Sequence, residues 1–177
     1  MKRFEGKRVL VTGASRGLGR DMALRFAAEG AAVFVGYRHR REEAVECVER
    51  CKERGAEATP VELDLEDSVA IRAAVSALPA LDVLVNNAAT VRDQFFLMQS
   101  DAEDAEVISI NLGGTMACIR AALPGMLRDG RGAIVNVASV AGLTPSTAGH
   151  TLYGASKAFL IKFSEALAEE GAPHGVH

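Results

Sequence analysis

Three side chains in the last third of the chain have the types and spacing of a proton-transfer site. Tyr153 and Lys157 lie four residues apart in a stretch with helical spacing, so they share one face of a helix. A free tyrosine is a poor acid or base at neutral pH, but a neighbouring ammonium favours the phenolate. Ser139 follows an apolar run and can donate a hydrogen bond to a carbonyl oxygen. Together these residues predict an oxyanion-type site with its own proton donor.

A glycine-rich stretch near the N-terminus predicts a phosphate-binding turn between a strand and a helix. An apolar run ends at Thr12, passes Gly13, Gly17 and Gly19, and enters a stretch with helical spacing. Glycine lets the backbone bend sharply and lets a phosphate approach main-chain N–H groups, and the helix N-terminus adds a partial positive charge. The spacing Gly-x-x-x-Gly-x-Gly differs from the usual dinucleotide fingerprint. A pyrophosphate is the expected ligand, and a plain strand–helix connection is the alternative.

The residues after the second predicted strand indicate which dinucleotide would bind. An acidic residue here would hold a ribose 2′-hydroxyl, but the chain has Tyr37 followed by Arg38. Arg40 and Arg41 follow, and Arg16 lies in the glycine-rich turn. Cations at this corner favour a 2′-phosphate and therefore NADP(H), although a solvated basic cluster would have the same composition.

Polar residues also follow the third and fourth predicted strands. Asp64, before Leu65, could accept a hydrogen bond from an adenine amino group or serve near a helix N-cap. Asn86 and Asn87, before Ala88, could contact a ligand or tie the backbone, and the sequence leaves both alternatives open. Because the carboxyl ends of parallel strands share one rim, all these residues are expected to converge there.

The elements that position these residues alternate along the chain. Strands are predicted at 7–11, 31–36, 59–63, 81–85 and 132–138, and helices at 16–29, 40–54, 68–78, 101–127 and 152–170. The strands are almost entirely apolar, as buried parallel strands are. The predicted fold is an α/β doubly wound parallel sheet of the Rossmann type, forming one domain over residues 1–177.

Composition narrows the class of protein. The formal net charge of −3 gives no reason to expect nucleic-acid or membrane binding, and no apolar run looks long enough to span a bilayer. The three cysteines suggest reduced thiols and a cytoplasmic location. Cys47 and Cys51 lie one helical turn apart, but no matching Cys/His pair follows, so we expect no metal site.

The motifs together resemble those of the short-chain dehydrogenase/reductase family, in the family's order and spacing. They are Thr12-Gly13-Ala14-Ser15-Arg16-Gly17-Leu18-Gly19, Asn86-Asn87-Ala88-Ala89 with Ala89 in place of the family's glycine, Ile110-Asn111-Leu112, and Tyr153-Gly154-Ala155-Ser156-Lys157. The resemblance implies that Tyr153 is the acid and that Lys157 binds the nicotinamide ribose and favours ionisation of Tyr153. It also implies that Ser139 orients the carbonyl and Asn111 holds a relay water. The expected cofactor contacts are Gly13, Ser15, Arg16, Gly17, Leu18, Gly19, Tyr37, Arg38, Asp64, Leu65, Asn87, Ala88, Tyr153 and Lys157.

Within the family, the chain resembles 3-oxoacyl-[acyl-carrier-protein] reductases through Val91-Arg92-Asp93 and Pro124-Gly125-Met126. The implied reaction is NADPH-dependent reduction of a 3-oxoacyl thioester to a 3-hydroxyacyl thioester, with hydride transfer from the cofactor and a tyrosine as proton donor, on a small-molecule or carrier-bound substrate. A sugar, steroid or small-alcohol dehydrogenase and a cofactor-binding module without turnover are the alternatives. Gly130 and His174 stand near the positions where basic residues would grip a carrier protein, which weakens that assignment.

The resemblance also carries expectations about the ends and the assembly of the chain. Family members run on for roughly a further third of this length, so we expect a fold truncated before its sixth strand is complete, with the strand at 132–138 at the sheet edge. A homotetramer or homodimer is expected through the helices at 101–127 and 152–170. The small residues offered for that contact are Gly113, Gly114, Ala117, Ala155 and Ala158.

Overall fold

The computed structural model describes residues 2–144 and 148–177 as strands and helices in alternation. The strands are β1 Arg8–Val11, β2 Ala32–Tyr37, β3 Ala58–Glu62, β4 Val83–Asn86 and β5 Ala133–Asn136. The α-helices are α1 Gly17–Ala28, α2 Arg41–Lys52, α3 Ser68–Ser76, α4 Asp101–Ile108, α5 Thr115–Asp129 and α6 Thr151–Gly171. Short 3-10 turns cover Phe96–Met98, Val140–Gly142 and Ala172–His174.

The strands form one parallel sheet in the order β3-β2-β1-β4-β5. Val9 pairs with Val33 of β2 on one side and with Val83 of β4 on the other. Beyond β5, Gly132 forms a parallel bridge with Val176, and the Ile134 amide donates to the His177 carbonyl at 2.7 Å. The doubly wound, Rossmann-like prediction is therefore confirmed, and the strand order reverses between β1 and β4, where such sheets bind ligands.

The two faces of the sheet carry separate apolar cores because successive strand residues point to opposite sides. Val9 and Val11 pack with Val33 and Val35 in the core beneath α1 and α2. Leu10 packs in the opposite core, whose other buried members include Leu84, Ile71, Ile119 and Met126. Burial on both faces explains why the strands read as continuous apolar runs rather than as an alternating pattern.

The long helix predicted over 101–127 is one continuous helical path with a change of pitch. α4 passes into a π-helical segment, Ser109–Gly114, which continues directly into α5. Such segments are rare and are found mostly at functional sites. Ser100 caps α4: its side chain accepts from the Glu103 amide, and Glu103 bonds back to the Ser100 amide. The apolar spacing predicted the helix but not the π-helical segment.

The combined helical region Asp101–Asp129 bears on the prediction that no apolar stretch of the chain is long enough to span a bilayer. By length and composition alone it is long and apolar enough to cross a bilayer, with a mean hydropathy of 1.3 over its most apolar window. The prediction that no apolar stretch is long enough to span a bilayer is therefore wrong. Half of that window is buried inside the protein, and Cys118 and Met126 are fully buried. A buried core helix of this kind passes the same test.

Candidate active site

The glycine-rich turn follows β1 and opens onto the N-terminus of α1. Gly13 has a φ of +64°, and a Cβ there would lie 3.0 Å from the Cα of Ala88. A Cβ on Gly19 would lie 2.4 Å from the Gly13 carbonyl oxygen. The turn therefore needs glycine at both positions, at Gly13 for its left-handed backbone and at Gly19 for space. This local packing leaves the N-terminal end of α1 facing a cleft.

Thr12 and Asn87 hold this turn against the end of β4. The Thr12 hydroxyl accepts hydrogen bonds from the backbone amides of Asn87 and Ala88, both at 3.0 Å. The Asn87 side-chain amide donates to the Thr12 carbonyl at 3.0 Å. Asn86 instead donates to the side chain of Asn136 on β5 at 2.9 Å. Both asparagines therefore make backbone or cross-strand hydrogen bonds, and a ligand contact by Asn87, which lines the cleft described next, stays a prediction.

Arg20, which the sequence analysis did not identify, fixes the Ser15 carbonyl. Its guanidinium donates to that oxygen from Nε at 2.8 Å and from a terminal nitrogen at 2.5 Å. It also forms an ion pair with Glu46 of α2 at 3.4 Å. The Ser15–Arg16 peptide is therefore oriented by a side chain one turn into α1. An arginine at an otherwise ordinary helical position gave no sequence signal for this contact.

The cleft above the turn has a volume of about 440 Å³, within the range of small-molecule sites. Its lining includes the expected cofactor contacts Gly13, Ser15, Arg16, Gly17, Leu18, Gly19, Tyr37, Arg38, Leu65, Asn87 and Ala88. We call this lining the cofactor half of the rim. Asp64, Tyr153 and Lys157 do not line the cleft itself.

Two arginines of the basic corner, Arg38 and Arg40, are engaged in ion pairs. Arg38 Nε lies 3.0 Å from a carboxylate oxygen of Asp64, and the same guanidinium pairs with Glu66. Arg40 pairs with Glu43 at 2.7 Å. Asp64 also accepts the Glu66 amide at 3.0 Å, which closes a short turn after β3. In this structure Asp64 is therefore a partner of Arg38 and of the backbone, and Asp67 caps α3.

Asn111 lies in the π-helical segment and is 1% exposed. Its side-chain oxygen accepts from the Thr90 amide at 2.8 Å, and its nitrogen donates to the Thr90 carbonyl at 2.9 Å and to the Ser156 hydroxyl at 3.1 Å. Both amide hydrogens are thus committed to protein acceptors. A relay water held by Asn111 stays a prediction. Thr90 and Ser156 are further site residues that the sequence analysis missed.

Lys157 is 3% exposed and donates from Nζ to the Val137 carbonyl at 2.7 Å. Its ammonium lies 5.7 Å from the centroid of the Tyr153 ring. Burial lowers the pKa of Lys157 because the apolar surroundings disfavour its charged form. The cation is therefore held close to the phenol in a poorly solvated position.

Ser139 follows β5, and its hydroxyl oxygen accepts from the Ala141 amide at 3.2 Å. The turn that it caps packs directly on α6: a Cβ on Gly142 would lie 2.6 Å from the amide nitrogen of Ala158. Tyr153 stands in the first turn of α6, partly exposed. The structure thus brings the segments of Ser139, Tyr153 and Lys157 together, and Asn111 joins them through Ser156. We call these four residues the catalytic half of the rim.

A second contact not seen in the sequence joins the start of α6 to the loop after β4. His150, three residues before Tyr153, pairs with Asp93, and its ring centroid lies 6.1 Å from that of Tyr153. The pair links the loop that follows Thr90 to the helix that carries Tyr153 and Lys157. Spacing along the chain could not reveal it, because the two residues are 57 positions apart.

No cluster of three or more potential metal ligands is found within residues 2–144 and 148–177. Cys47 and Cys51 are fully buried in the core between α2 and the sheet. Their one-turn spacing therefore reflects the buried face of α2.

The comparisons with known proteins agree with this geometry. A family model described as short chain dehydrogenase matches residues 7–177. The chain belongs to the short-chain dehydrogenase family. A curated relative, the 3-oxoacyl-[acyl-carrier-protein] reductase FabG of Staphylococcus aureus strain Mu50, is 40% identical over 174 residues, covering 96% of this chain and 70% of the relative. Membership of the family makes this protein an oxidoreductase.

Solved structures in the family share the fold closely. A short chain dehydrogenase from Burkholderia cenocepacia in complex with NADP has a TM-score of 0.91 at 35% identity, covering 98% of this chain and 72% of the other. An NAD⁺-bound xylitol dehydrogenase has a TM-score of 0.94 at 30% identity, covering 99% and 69%. Family members in complex with either dinucleotide therefore share this backbone fold.

Proposed function

We propose that this protein is an NADP(H)-dependent carbonyl reductase that converts a 3-oxoacyl thioester to a 3-hydroxyacyl thioester. The observation that carries the proposal is the buried Lys157 ammonium beside Tyr153, in a chain that also has a cleft lined by a glycine-rich turn and by arginines. The proposal is also supported by a relative named as a 3-oxoacyl reductase and by a neighbour whose structure contains NADP.

The residues of the cleft fit a dinucleotide. At Gly13 and Gly19 the turn has no room for a Cβ, so its amides can approach a pyrophosphate at the α1 N-terminus. Arg16, Arg38 and Arg40 line the cleft and supply cations for a 2′-phosphate. When bound, NADPH supplies the hydride that the reduction needs.

Residues of the chain then donate the proton and stabilise the negative charge that develops during the reaction. The Tyr153 hydroxyl donates its proton to the carbonyl oxygen, and the Lys157 ammonium stabilises the phenolate that remains. The Ser139 hydroxyl donates a hydrogen bond to the same oxygen and orients the carbonyl. Asn111 fixes the Thr90 backbone and Ser156 around these groups. Since Lys157 is shielded from water, its attraction for the phenolate is stronger than at an exposed site.

The test is a titration of the purified protein with NADPH and NADH, followed by turnover on a 3-oxoacyl thioester such as acetoacetyl-CoA. A charge-assisted phosphate contact is worth roughly 1.5–3 kcal/mol, so NADPH should bind about ten- to a hundredfold more tightly. Arg38→Asp should shift the preference toward NADH. Arg54→Asp, which makes the same charge change at the far end of α2, should not.

Equal affinities for the two cofactors, or tighter NADH, would contradict the assigned cofactor. The second candidate, a polyol or sugar dehydrogenase, is favoured by the fit to xylitol dehydrogenase. Oxidation of xylitol with NAD⁺ and no consumption of NADPH on the thioester would favour it. Binding of either cofactor with no turnover on any of these substrates would favour a binding module instead.

The cytoplasmic location and the oligomer remain part of the proposal. Three buried free thiols suit a reducing compartment. Of the small residues offered for a subunit contact, Gly114 and Ala117 are buried within this chain, where a Cβ on Gly114 would lie 2.6 Å from that of Leu65. Ala155 and Ala158 on α6 are exposed and stay available. We therefore centre the proposed dimer or tetramer contact on α6.

A further inference from the structure

The side chain that should recognise a 2′-phosphate lies between two carboxylates. Arg38 follows β2 directly, and its side chain is 36% exposed. One guanidinium nitrogen lies 3.0 Å from Asp64, and another pairs with Glu66. A planar guanidinium binds a phosphate best with both nitrogens of one edge, and the nitrogen that donates to Glu66 is one that a phosphate would use. Nε lies near Asp64 without donating a hydrogen bond to it, so Asp64 acts on the guanidinium through its charge.

Glu66 is held in this position by the backbone rather than by chance contact at the surface. Its amide donates to the Asp64 side chain at 3.0 Å, in the turn between β3 and α3. Asp67 then caps α3 by accepting the amides of Val69 and Ala70. The Glu66 carboxylate is therefore presented to Arg38 by a turn that is fixed at both ends.

The two dinucleotides meet this arrangement differently. A 2′-phosphate carries nearly two negative charges, so it must displace Glu66 from Arg38 or bind beside it against charge repulsion. A 2′-hydroxyl is neutral, needs no cation, and can donate a hydrogen bond to a carboxylate. The same glutamate thus opposes binding of NADP(H) but does not oppose binding of NAD(H).

We propose that Glu66 is a specificity-determining residue that competes with the 2′-phosphate of NADP(H) for the guanidinium of Arg38. This inference rests on the proposed use of NADP(H). It assigns to the protein a smaller preference for NADP(H) than its arginines alone would give. Asp64 contributes to the same competition, but it also closes the turn after β3, so Glu66 is the residue on which the idea can be tested cleanly.

The experiment measures dissociation constants of the full chain for NADPH, NADH, 2′,5′-ADP and 5′-AMP, before and after Glu66→Gln. The variant should bind NADPH and 2′,5′-ADP about three- to tenfold more tightly, because an exposed ion pair is lost and a nearby repulsion is removed. Affinities for NADH and 5′-AMP should stay the same. The gain should shrink in high salt, since the charges are partly exposed.

Two further variants separate this mechanism from a change in folding or net charge. Glu49→Gln removes a carboxylate that pairs with Lys52 on the exposed side of α2, and it should leave every affinity unchanged. In an Arg38→Ala background, Glu66→Gln should have less effect than in the wild type, because the competition needs the guanidinium.

The outcomes are distinguishable. If Glu66→Gln leaves the ratio of 2′,5′-ADP to 5′-AMP affinity unchanged, or lowers it, the inference is overturned whatever the wild-type cofactor preference. If wild-type protein binds NADH as tightly as NADPH, the proposed cofactor choice is overturned instead. In that case a rise in the 2′,5′-ADP to 5′-AMP ratio for Glu66→Gln would still support the role of Glu66.

Discussion

The two halves of the rim differ in how exposed their polar and charged groups are. The cofactor half is an open cleft made of backbone turns, with partly exposed charges such as Arg38, Asp64 and Glu66 at its corner. Two of the four residues of the catalytic half are almost completely buried, Asn111 at 1% and Lys157 at 3% exposure, whereas Ser139 and Tyr153 are partly exposed. The exposed side chains of the cofactor half can adapt to a ligand, whereas the buried side chains of the catalytic half are already fixed without one.

This difference determines how large the effects of substitution should be. Exposed ion pairs are worth about 0–1 kcal/mol, so changes at the corner should tune affinity by modest factors. A buried polar group that loses its partner costs about 1–3 kcal/mol, and a group acting in the transition state changes the rate by larger factors. Substitutions in the catalytic half should therefore affect turnover or folding strongly and leave cofactor preference unchanged.

The largest effect is expected at Tyr153. Tyr153→Phe removes the proposed proton donor while keeping the ring beside Lys157, so turnover should fall about 10²- to 10⁴-fold with NADPH affinity nearly intact. The measurements are the steady-state rate with a 3-oxoacyl thioester and a fluorescence titration with NADPH. Retention of more than a few per cent of wild-type turnover would show that another group is the acid.

The matched control uses the only other tyrosine in the chain, Tyr37. Its hydroxyl lies in the cofactor half, 3.4 Å from Glu62 and 3.5 Å from Arg41. Tyr37→Phe should change cofactor affinity more than turnover, the reverse of Tyr153→Phe. A similar loss of turnover in both variants would break the distinction between the two halves.

The next largest effect should be on stability, at Asn111. Asn111→Ala leaves the amide and carbonyl of Thr90 and the hydroxyl of Ser156 without their partner, and it should cost about 2–4 kcal/mol of unfolding free energy. Denaturant unfolding measures this. Ser156→Ala removes one of these bonds and the bond that its hydroxyl donates to the Tyr153 carbonyl, and it should cost about 1–2 kcal/mol. A loss at Asn111 no larger than at Ser156 would mean that water replaces the missing amide.

How much of this was visible in the sequence differs between the halves. The glycine-rich turn was predictable because its backbone needs glycine at fixed positions, and the parallel sheet because buried strands are continuously apolar. Three features were not predictable: the π-helical segment around Asn111, the Arg20–Ser15 contact, and the His150–Asp93 pair, whose residues are 57 positions apart. None of them leaves a periodicity in the chain.

At the basic corner the residues could be read from the sequence, but their ion pairs could not. The sequence predicts Arg38 as a cofactor contact, and Arg38 lines the cleft; for Asp64 it leaves open an adenine contact or a position near a helix N-cap. The structure pairs Asp64 and Glu66 with Arg38 because the turns after β2 and β3 end side by side. A count of arginines alone therefore overstates how positive the corner is.

The smallest effect is expected at Asp82, a buried carboxylate far from the rim, and it tests whether a change in buried charge there affects cofactor binding. Asp82 lies before β4, at the end of the sheet opposite the rim, and its side chain is 7% exposed. It accepts the Arg8 amide at 3.0 Å and contacts Lys7 and Arg131, both at 3.3 Å. Burial raises the pKa of Asp82, but the Arg8 amide and the two cations outweigh it and hold the pKa below its usual range.

Because the folded-state pKa of Asp82 is lowered, its carboxylate stabilises the fold above the unfolded pKa of about 3.9, and this stability is lost as the pH falls through the folded value. Asp82→Asn should lower the unfolding free energy at pH 7 by roughly 1–2 kcal/mol, and the difference from wild type should vanish at more acidic pH. The control is Asp129→Asn. Asp129 is a more exposed carboxylate paired with Arg128, so its loss should change stability less.

Unfolding curves between pH 7 and pH 2 measure these differences in stability, and NADPH titrations of the same proteins should coincide with wild type. A weaker NADPH affinity in Asp82→Asn would show that the two ends of the sheet are coupled, and that the cofactor half is less independent of the buried charges than its open construction implies.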